Sequence, residues 1–417
     1  MKRVNSSNRP VRRVGLARLV GLTTALVFAA SVAGCAGDLD GMTASIATAG
    51  GLFAAGPKRP SLPIAMFVDS TRPDDAAAKR AGDGVASAHF ALDIVSVPPG
   101  HRAGVIETPT FGGPQEGRDF VLTSERALEP EELGNAIATS ISGRIGSNRD
   151  ILLYIHGFNT SLQDARFRLA QVVADGRFGG VPVLFTWPSQ NNLFSYISDK
   201  ERATASRDPL EKLMLSLSQV PGVGRIHILA HSMGTWLAME ALRENAIAGH
   251  PDLDGKLGDV MLAAPDIDLA VFKEQMARIG EAAHVSIFVS AGDRALSLSS
   301  RLAGDRPRLG ALDPHNARDR AELEKLGVKV YDLSSFADGL IGHDAYADVP
   351  QVVRTIGAHL AEPRKEDAKV MALTDAGADR QPDDAMPPAI VATPLPPPPT
   401  EVPAPAPPPA SGDGAGT

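Results

Sequence analysis

The sequence predicts an α/β fold with a mostly parallel sheet that is covered by helices on both faces. Short apolar runs, typical of buried strands, recur through the middle of the chain, and helical patterns separate most of them. Runs that are apolar throughout favour a sheet buried on both faces. The 417 residues are 43% hydrophobic and 22% charged, which is sufficient for a large core.

The apolar runs predict eight strands, which cover residues 62–68, 90–97, 151–155, 181–186, 226–229, 260–264, 285–289 and 328–333. Between them, a helix is predicted after residue 161, with overlapping capping-box signals that start at Thr160 and Ser161, and Gly176 is expected to close it. A second helix is predicted to start at Asp208-Pro209, and others cover 235–242 and 269–279. This alternation of strands and helices is the basis for the predicted layers.

Residues 1–34 are interpreted as an export signal. A basic start is followed by an apolar stretch over 19–32, too short for a convincing membrane span, and then by Val32-Ala-Gly-Cys35. Small residues before a cysteine resemble a bacterial lipobox, in which Cys35 would be lipidated and would anchor the protein to a membrane. Ala36 rather than aspartate favours the outer membrane, facing the periplasm. A plain signal peptide cut nearby is the alternative.

The remaining terminal segments have the composition of linkers. Residues 35–60 are rich in glycine and alanine and are interpreted as a flexible tether, whereas 364–417 form a Pro/Ala-rich tail predicted to be disordered. The tail is expected to be a solvated spacer, and the alternative is that it binds an envelope partner. The region between, 61–363, is the predicted folded domain.

Composition also limits the partners. The net charge is −8 and aromatic residues are only 5%, so neither a basic surface nor base stacking favours nucleic-acid binding. His156 and His231 are not part of a short-spaced ligand cluster, so no metal and no cofactor are predicted.

The strongest chemical signal is Ala230-His-Ser-Met-Gly234. An apolar strand, 226–229, runs into Ser232, and a helical pattern over 235–242 follows at once. This strand–turn–helix context is that of a nucleophile elbow, in which small flanking residues let strand and helix pass closely. Alanine at 230, where glycine is usual, meets that requirement nearly as well. Ser232 is the predicted nucleophile.

A serine nucleophile needs a base and an acid that orients the base. On such an elbow both follow the serine in the chain. Asp293, just after the strand 285–289, is the predicted acid. Asp266, at the end of the preceding strand, is the alternative acid, and Asp268 is expected to cap a helix.

His343 is the predicted base because it follows the last predicted strand by a loop. The other downstream histidines, His250, His284, His315 and His359, lie at positions that this order does not favour. Backbone N–H groups of Phe158 and Met233 are the predicted oxyanion donors, one after an early strand and one directly after the serine. His156 precedes Ser232 and is interpreted as a structural residue of the Phe158 loop.

These motifs resemble the α/β-hydrolase superfamily and, more narrowly, a bacterial group of esterase- and lipase-like proteins of undefined biological function. The matching landmarks, which lie within residues 62–362, are His156-Gly-Phe-Asn-Thr160, Phe185-Thr-Trp-Pro-Ser189, Ala230-His-Ser-Met-Gly234, Ala263-Ala-Pro-Asp-Ile-Asp268, Asp293-Arg-Ala-Leu296 and Gly342-His343. The resemblance implies an α/β-hydrolase fold of about eight strands with a Ser/Asp/His triad. Asp69, in the first predicted strand, has no place in this pattern.

The expected function is a lipid-anchored serine hydrolase that cleaves a small-molecule or lipid carboxylic ester through an acyl-enzyme. Thioesters and amides suit the same groups. An acyltransferase with the same triad is one alternative, and a non-catalytic envelope scaffold that keeps the fold is another. Residues 188–207 are the best candidate for a substrate-lining loop, with a plain connection as the alternative.

Overall fold

The computed structural model describes residues 60–73, 88–190, 192, 195–336 and 342–361. The predicted export signal, almost all of the tether with Cys35, and the Pro/Ala-rich tail therefore lie outside the described residues. Within the described part, no helix is long and apolar enough to cross a membrane.

The described residues form a nine-stranded sheet with the order β3-β2-β1-β5-β4-β6-β7-β8-β9. Neighbours from β1 onwards pair in parallel, whereas β2 pairs antiparallel with both β1 and β3. The strands are β1 Leu62–Ser70, β2 His89–Val97, β3 Val121–Leu128, β4 Ile151–Ile155, β5 Val181–Thr186, β6 Ile226–His231, β7 Leu257–Ala263, β8 His284–Val289 and β9 Lys329–Asp332.

The helices of the described residues lie on both faces of this sheet. They are α1 Pro130–Ile141, α2 Leu162–Gly176, α3 Tyr196–Ala205, α4 Arg207–Ser218, α5 Met233–Ala248, α6 Leu269–Ile279, α7 Arg294–Leu302, α8 Ala317–Lys325, α9 Ala345–Asp348 and α10 Pro350–Leu360. Short 3₁₀ turns occur at Gly146–Arg149, Gly280–Ala282, Leu309–Ala311 and Ser334–Phe336.

Alternation along the strands divides the core into two halves. In β4, Ile151, Leu153 and Ile155 belong to the half that packs on α1, α4, α5 and α6. Leu152 and Tyr154 belong to the half that packs on α2 and α10. All five side chains are buried, and each fully buried apolar side chain of this size contributes about 1.5–3 kcal/mol. The prediction of a sheet covered on both faces is confirmed.

The difference from the predicted strand count is β3. Its sequence, Val-Leu-Thr-Ser-Glu-Arg-Ala-Leu, leaves four central polar side chains and Ala127 exposed at the edge of the sheet. Such an edge strand carries no apolar run, because most of its side chains face solvent and its backbone pairs antiparallel with β2. The eight predicted strands all occur, with small differences at their ends.

The helix signals were largely correct. Ser161 caps α2 and forms the capping box with Asp164, so the competing box at Thr160 is not the one used. Gly176 is the last helical residue, and Arg177 takes the left-handed conformation that ends the helix, at φ 52°. Asp268 caps α6 through the N–H groups of Ala270 and Val271, as predicted.

Candidate active site

The parallel strands place the predicted site residues at one edge of the sheet. Ser232 follows β6, Asp266 follows β7 and Asp293 follows β8, so all three lie beyond the carboxyl ends of neighbouring strands. Ligand sites of open α/β sheets are found at this edge. His343 lies between β9 and α9.

Ser232 occupies a strained turn between β6 and α5. Its backbone has φ 52° and ψ −124°, a combination that residues other than glycine rarely adopt. The surroundings hold it there, because its N–H donates to the carbonyl of Ala263 at 2.9 Å. Its own carbonyl accepts from the hydroxyl of Thr235 at 2.6 Å and from the N–H of Asp266 at 3.3 Å. The geometry is that of a nucleophile elbow.

Small residues around Ser232 are a steric requirement. A Cβ atom at Gly234 would lie 2.3 Å from the carbonyl oxygen of His156 and 2.8 Å from that of Ile155. A Cβ atom at Gly157 would lie 2.8 Å from the Cβ of Ser232. Helix α5 and the loop after β4 therefore approach each other closely, with Ser232 between them.

His343 and Asp293 form a hydrogen-bonded pair. The Nδ1–H of His343 donates to Oδ2 of Asp293 at 2.6 Å. The other oxygen, Oδ1, accepts from the N–H of Leu296 at 3.0 Å, so the same carboxylate also caps α7. Asp293 is fully buried, and with Nδ1 protonated, Nε2 of His343 is the basic nitrogen.

The pKa of His343 lies above its ordinary value. Burial alone would lower this pKa, but the hydrogen bond and the charge of Asp293 outweigh burial and raise it. In the described part of the chain, Oγ of Ser232 forms no hydrogen bond. His343 is nevertheless close to the serine turn, because its ring lies 4.7 Å from the ring of His231, the residue before Ser232. Catalytic hydrogen bonds are often long before substrate binds.

Asp266, the alternative acid, is engaged by other partners. It accepts hydrogen bonds from the hydroxyl groups of Tyr196, at 2.8 Å, and Ser299. Nε of the buried Arg308 lies 3.1 Å from its Oδ1 as an ion pair. The ring nitrogen of His343 is hydrogen-bonded to Asp293 and not to this carboxylate.

The predicted oxyanion donors belong to two segments that meet at Ser232, the start of α5 and the loop after β4. Met233 is the first residue of α5, where N–H groups have no intrahelical partner and the helix end is positive. Phe158 follows Gly157, whose backbone lies against Ser232. Among the described residues, the N–H groups of Phe158 and Met233 donate to no acceptor, so both are available for a developing oxyanion.

The loop that carries Phe158 is fixed by His156 and Arg72. Nδ1 of His156 donates to the carbonyl of Gly157 at 2.9 Å, and Nε2 accepts from the N–H of Trp187 at 3.2 Å. Burial and the charge of Arg72 hold the pKa of His156 well below 6.5, so it is neutral. Arg72 donates to the carbonyl of Thr160 at 2.8 Å. The structural interpretation of His156 agrees with these contacts, whereas Arg72 had no recognisable sequence signal.

His231 is a further member that sequence reasoning did not assign. Its Nε2–H donates to the carbonyl of His343 at 3.2 Å, and its ring packs on Tyr346 at 4.7 Å. Burial, followed by the nearby charge of His343, lowers the pKa of His231 to about 4. The neutral ring therefore supports the backbone of His343. In the sequence, only its position directly before Ser232 indicated that His231 would lie at the site.

The candidate substrate-lining loop is partly helical. Residues Tyr196–Ala205 form α3, while Asn191, Leu193 and Phe194 lie outside the described residues. Tyr196 donates to Asp266 and packs its ring edge-on against Phe158, with centroids 5.5 Å apart. The start of α3 therefore forms one wall beside the site. Sequence reasoning missed this helix because its mixture of polar and small residues has no clear apolar stripe.

The described residues contain no group of three or more His, Cys, Asp or Glu side chains arranged to hold a metal ion.

The fold and the elbow define an α/β hydrolase. A family model, described as "Alpha/beta hydrolase of unknown function (DUF900)", matches residues 134–361. Since the match covers more than half of the 417 residues, the chain belongs to this family.

Solved structures with a similar fold include two hydrolases. A predicted CIB-like hydrolase from Thermoplasma acidophilum is 14% identical, with a TM-score of 0.29, and the alignment covers 52% of this chain and 87% of that chain. Lipase B from Aspergillus fumigatus is 11% identical, with a TM-score of 0.30, and the alignment covers 49% of this chain and 50% of that chain. No curated protein matches the sequence.

Proposed function

We propose that this α/β hydrolase is a serine hydrolase of carboxylic esters that acts through an acyl-enzyme. The observation that carries the proposal is the pairing of His343 with the buried Asp293 beside a serine held at positive φ. A structural serine at a strand end needs neither the strained backbone nor a histidine oriented by a carboxylate.

Each group has one role in the proposed first step. Oγ of Ser232 attacks the acyl carbon while Nε2 of His343 takes its proton, and Asp293 stabilises the resulting imidazolium. The carbonyl oxygen becomes negative and accepts from the N–H groups of Phe158 and Met233. The intermediate then expels the alcohol, which takes the proton from His343 and leaves Ser232 acylated.

Deacylation repeats the sequence with water. His343 takes a proton from the water as its oxygen attacks the acyl carbon, and then returns a proton to Oγ of Ser232. The products are one carboxylic acid and one alcohol. A thioester differs only in its leaving group.

A fluorophosphonate probe tests the nucleophile, since it phosphonylates an activated serine. The wild-type protein should be labelled and Ser232→Ala should not, with turnover of a p-nitrophenyl ester lower by several orders of magnitude. The matched control is Ser290→Ala, a buried serine directly after β8, two strands from β6 in the sheet, which should keep its labelling. Equal labelling of Ser232→Ala, or none of the wild type, would contradict the proposal and favour the scaffold alternative.

We also propose that Cys35 carries a lipid that anchors the protein in the bacterial envelope. The basis is the basic and apolar N-terminal stretch that ends in small residues at the single cysteine of the chain. Labelled palmitate should enter the wild-type protein in cells but not Cys35→Ser. Labelling that is the same in both forms would show that Cys35 is not the anchor.

A further inference from the structure

A cavity of about 580 Å³ lies on the flank of the sheet, apart from the elbow. It is bounded by α1, α4 and the adjacent ends of β1 and β2. Its walls are mainly apolar and include Phe90, Leu133, Ile137, Leu213, Leu217 and Val220. Strand β1 is three strands from β6 in the sheet, roughly 14 Å at the usual strand spacing. The cavity is therefore separate from the site around Ser232.

The buried carboxyl group of Asp69 lies in this apolar lining. Asp69 is only 2% exposed, and its Oδ1 has no hydrogen-bond partner among the residues that the structure describes. The backbone position is fixed because Asp69 pairs with Phe90 on β2 and with Phe185 on β5. Its side chain shares the face of Phe67, which packs in the α1 and α4 half of the core. The fold therefore holds an unpartnered carboxyl group against the cavity.

An unpaired ionised carboxylate is costly in such surroundings. Burial accordingly raises the pKa of Asp69 to about 8, so this group is mostly protonated at neutral pH. Protonation satisfies the group only partly, since a carboxylic acid gains one donor and keeps an unpaired acceptor. An ammonium group has three donors and a positive charge, and would satisfy both oxygens. The other charged residues of the lining, Glu131 and Lys212, are exposed.

We propose that this cavity is a second binding site, which takes a small organic ammonium ion with an apolar chain. The ammonium head pairs with Asp69, and the chain lies against the leucine, isoleucine and phenylalanine walls. Binding converts the neutral carboxyl group to a carboxylate and releases its proton to the solvent. A ligand carboxylate of the same length would form no ion pair and would be repelled by the ionised form of Asp69, and an alcohol would gain the apolar contacts without the ion pair.

Isothermal titration calorimetry with n-hexylammonium, hexanol and hexanoate tests the site on the intact protein. The ammonium should bind at least about tenfold more tightly than the alcohol, and the hexanoate least. At pH 7, titrations in buffers of different ionisation enthalpy should report release of close to one proton. Affinity should increase as pH rises towards about 8, since Asp69 ionises while the amine stays protonated up to roughly pH 10.

Two variants separate the carboxyl group from the cavity. Asp69→Asn should weaken ammonium binding at least about tenfold and abolish proton release. Gly134→Leu should block the cavity from α1, where a Cβ atom meets only a methyl group of Val220 at 3.8 Å and where leucine favours the helix. The control, Glu131→Gln, removes the exposed carboxylate of the lining and should change affinity little.

The proposal is wrong if no ammonium binds up to millimolar concentration, or if the alcohol binds as tightly as the ammonium. It is also wrong if Asp69→Asn binds like the wild type, or if Glu131→Gln alone removes binding. Ester turnover by Asp69→Asn and Gly134→Leu should match the wild type, because the cavity is separate from Ser232. A failure of this site therefore leaves the proposed function untouched.

Discussion

Asp293 and Asp69 are both buried carboxyl groups at the carboxyl ends of strands, but their surroundings differ. Asp293 has a partner for each oxygen, the N–H of Leu296 and the ring of His343. Within the described part of the chain, Asp69 has no partner for Oδ1, and burial raises its pKa to about 8. Where donors are built in, the fold keeps a buried charge available for chemistry. Where they are missing, the proton stays on the carboxyl group.

The carboxyl group of Asp266 has a third kind of surroundings, and it lies at the same edge of the sheet as Asp293. It is buried and partnered, but by Tyr196, Ser299 and Arg308 rather than by the histidine. Its carboxylate therefore holds α3, α7 and the Arg308 turn together beside the site. Of these three aspartates, Asp293 is hydrogen-bonded to His343, Asp266 joins the helices beside the site, and Oδ1 of Asp69 has no partner among the described residues.

The largest expected effect distinguishes Asp293 from Asp266. Asp293→Asn removes the negative charge that supports His343. Turnover should therefore fall at least about a hundredfold, and by as much as about 10⁴-fold. Asp266→Asn leaves the buried Arg308 unpaired, so it should lower the free energy of unfolding by about 3–5 kcal/mol. Its turnover per folded molecule should stay within about tenfold of the wild type.

Ester kinetics on both variants, normalised to folded protein by circular dichroism and thermal melting, decide which aspartate supports His343. A control is Asp268→Ala, which removes the cap of α6 and should cost only about 0.5–2 kcal/mol of stability. The opposite order of turnover would move the acid to the end of β7 and leave Ser232 and His343 in their roles.

The second effect concerns the free energy of unfolding and how the buried carboxyl group of Asp69 makes it depend on pH. The pKa of Asp69 is about 8 in the folded chain and about 4 when unfolded, so the folded state holds more protons between these values. Stability from this group is therefore greatest at low pH and falls as pH rises from about 4 to about 8. Asp69→Asn should be more stable than the wild type at pH 7, by roughly 2–4 kcal/mol.

Urea unfolding of the wild type and Asp69→Asn at pH 5, 7 and 9 measures this gain. The difference should grow from pH 5 to pH 7 and level off above about 8. A wild type that is more stable than the variant at pH 7 would show that Asp69 has a partner in solution.

A third effect lies in the pH dependence of kcat/KM. His343 must be neutral to act as a base, so activity should fall as pH drops through its pKa, which Asp293 holds above 6.5. In Asp293→Asn the acid limb of the residual activity should move to lower pH, because His343 loses the hydrogen bond to a carboxylate and its charge. Asp266→Asn is the control and should shift the limb much less. An unchanged limb in Asp293→Asn would assign the titration to another group.

The sequence predicted the layered sheet well because buried parallel strands are apolar throughout, and β4 and β6 are unambiguous runs. It missed β3 and α3, since an exposed edge strand and a short polar helix depend on their neighbours rather than on an apolar pattern. The elbow was readable because strand, serine and helix are adjacent in the chain. The pairing of Asp293 with His343 was inferred from chain order, and its geometry required the fold.

Other parts of the site had no local signal. Arg72 and His231 act through contacts made by distant segments, and α3, at Tyr196–Ala205, forms a wall beside the site where a loop was predicted. Asp69 was visible as an unexplained aspartate, but its isolation depends on what α1 and α4 do not offer. Absence of a partner cannot be read from a pattern, because it is a property of the packed structure.

The smallest effect uses Asp93, which lies on β2 next to β1 and has one oxygen satisfied. Oδ2 accepts from Nε of Arg166 at 2.7 Å, while Oδ1 has no partner in the described ranges. Burial raises the pKa of Asp93 and the charge of Arg166 lowers it, with the result at about 6, between the ordinary value and that of Asp69. Arg166→Met should therefore raise the pKa of Asp93 by about one unit or more, towards the value of Asp69.

Glu125→Gln is the matched control with the opposite sign, because the charge of Glu125 raises the pKa of Asp93 and Glu125 also binds Arg166. Carboxyl carbon chemical shifts followed through a pH titration measure both variants. If Arg166→Met leaves the pKa of Asp93 unchanged, the partner is not what separates these neighbouring aspartates, and burial alone would have to explain the difference.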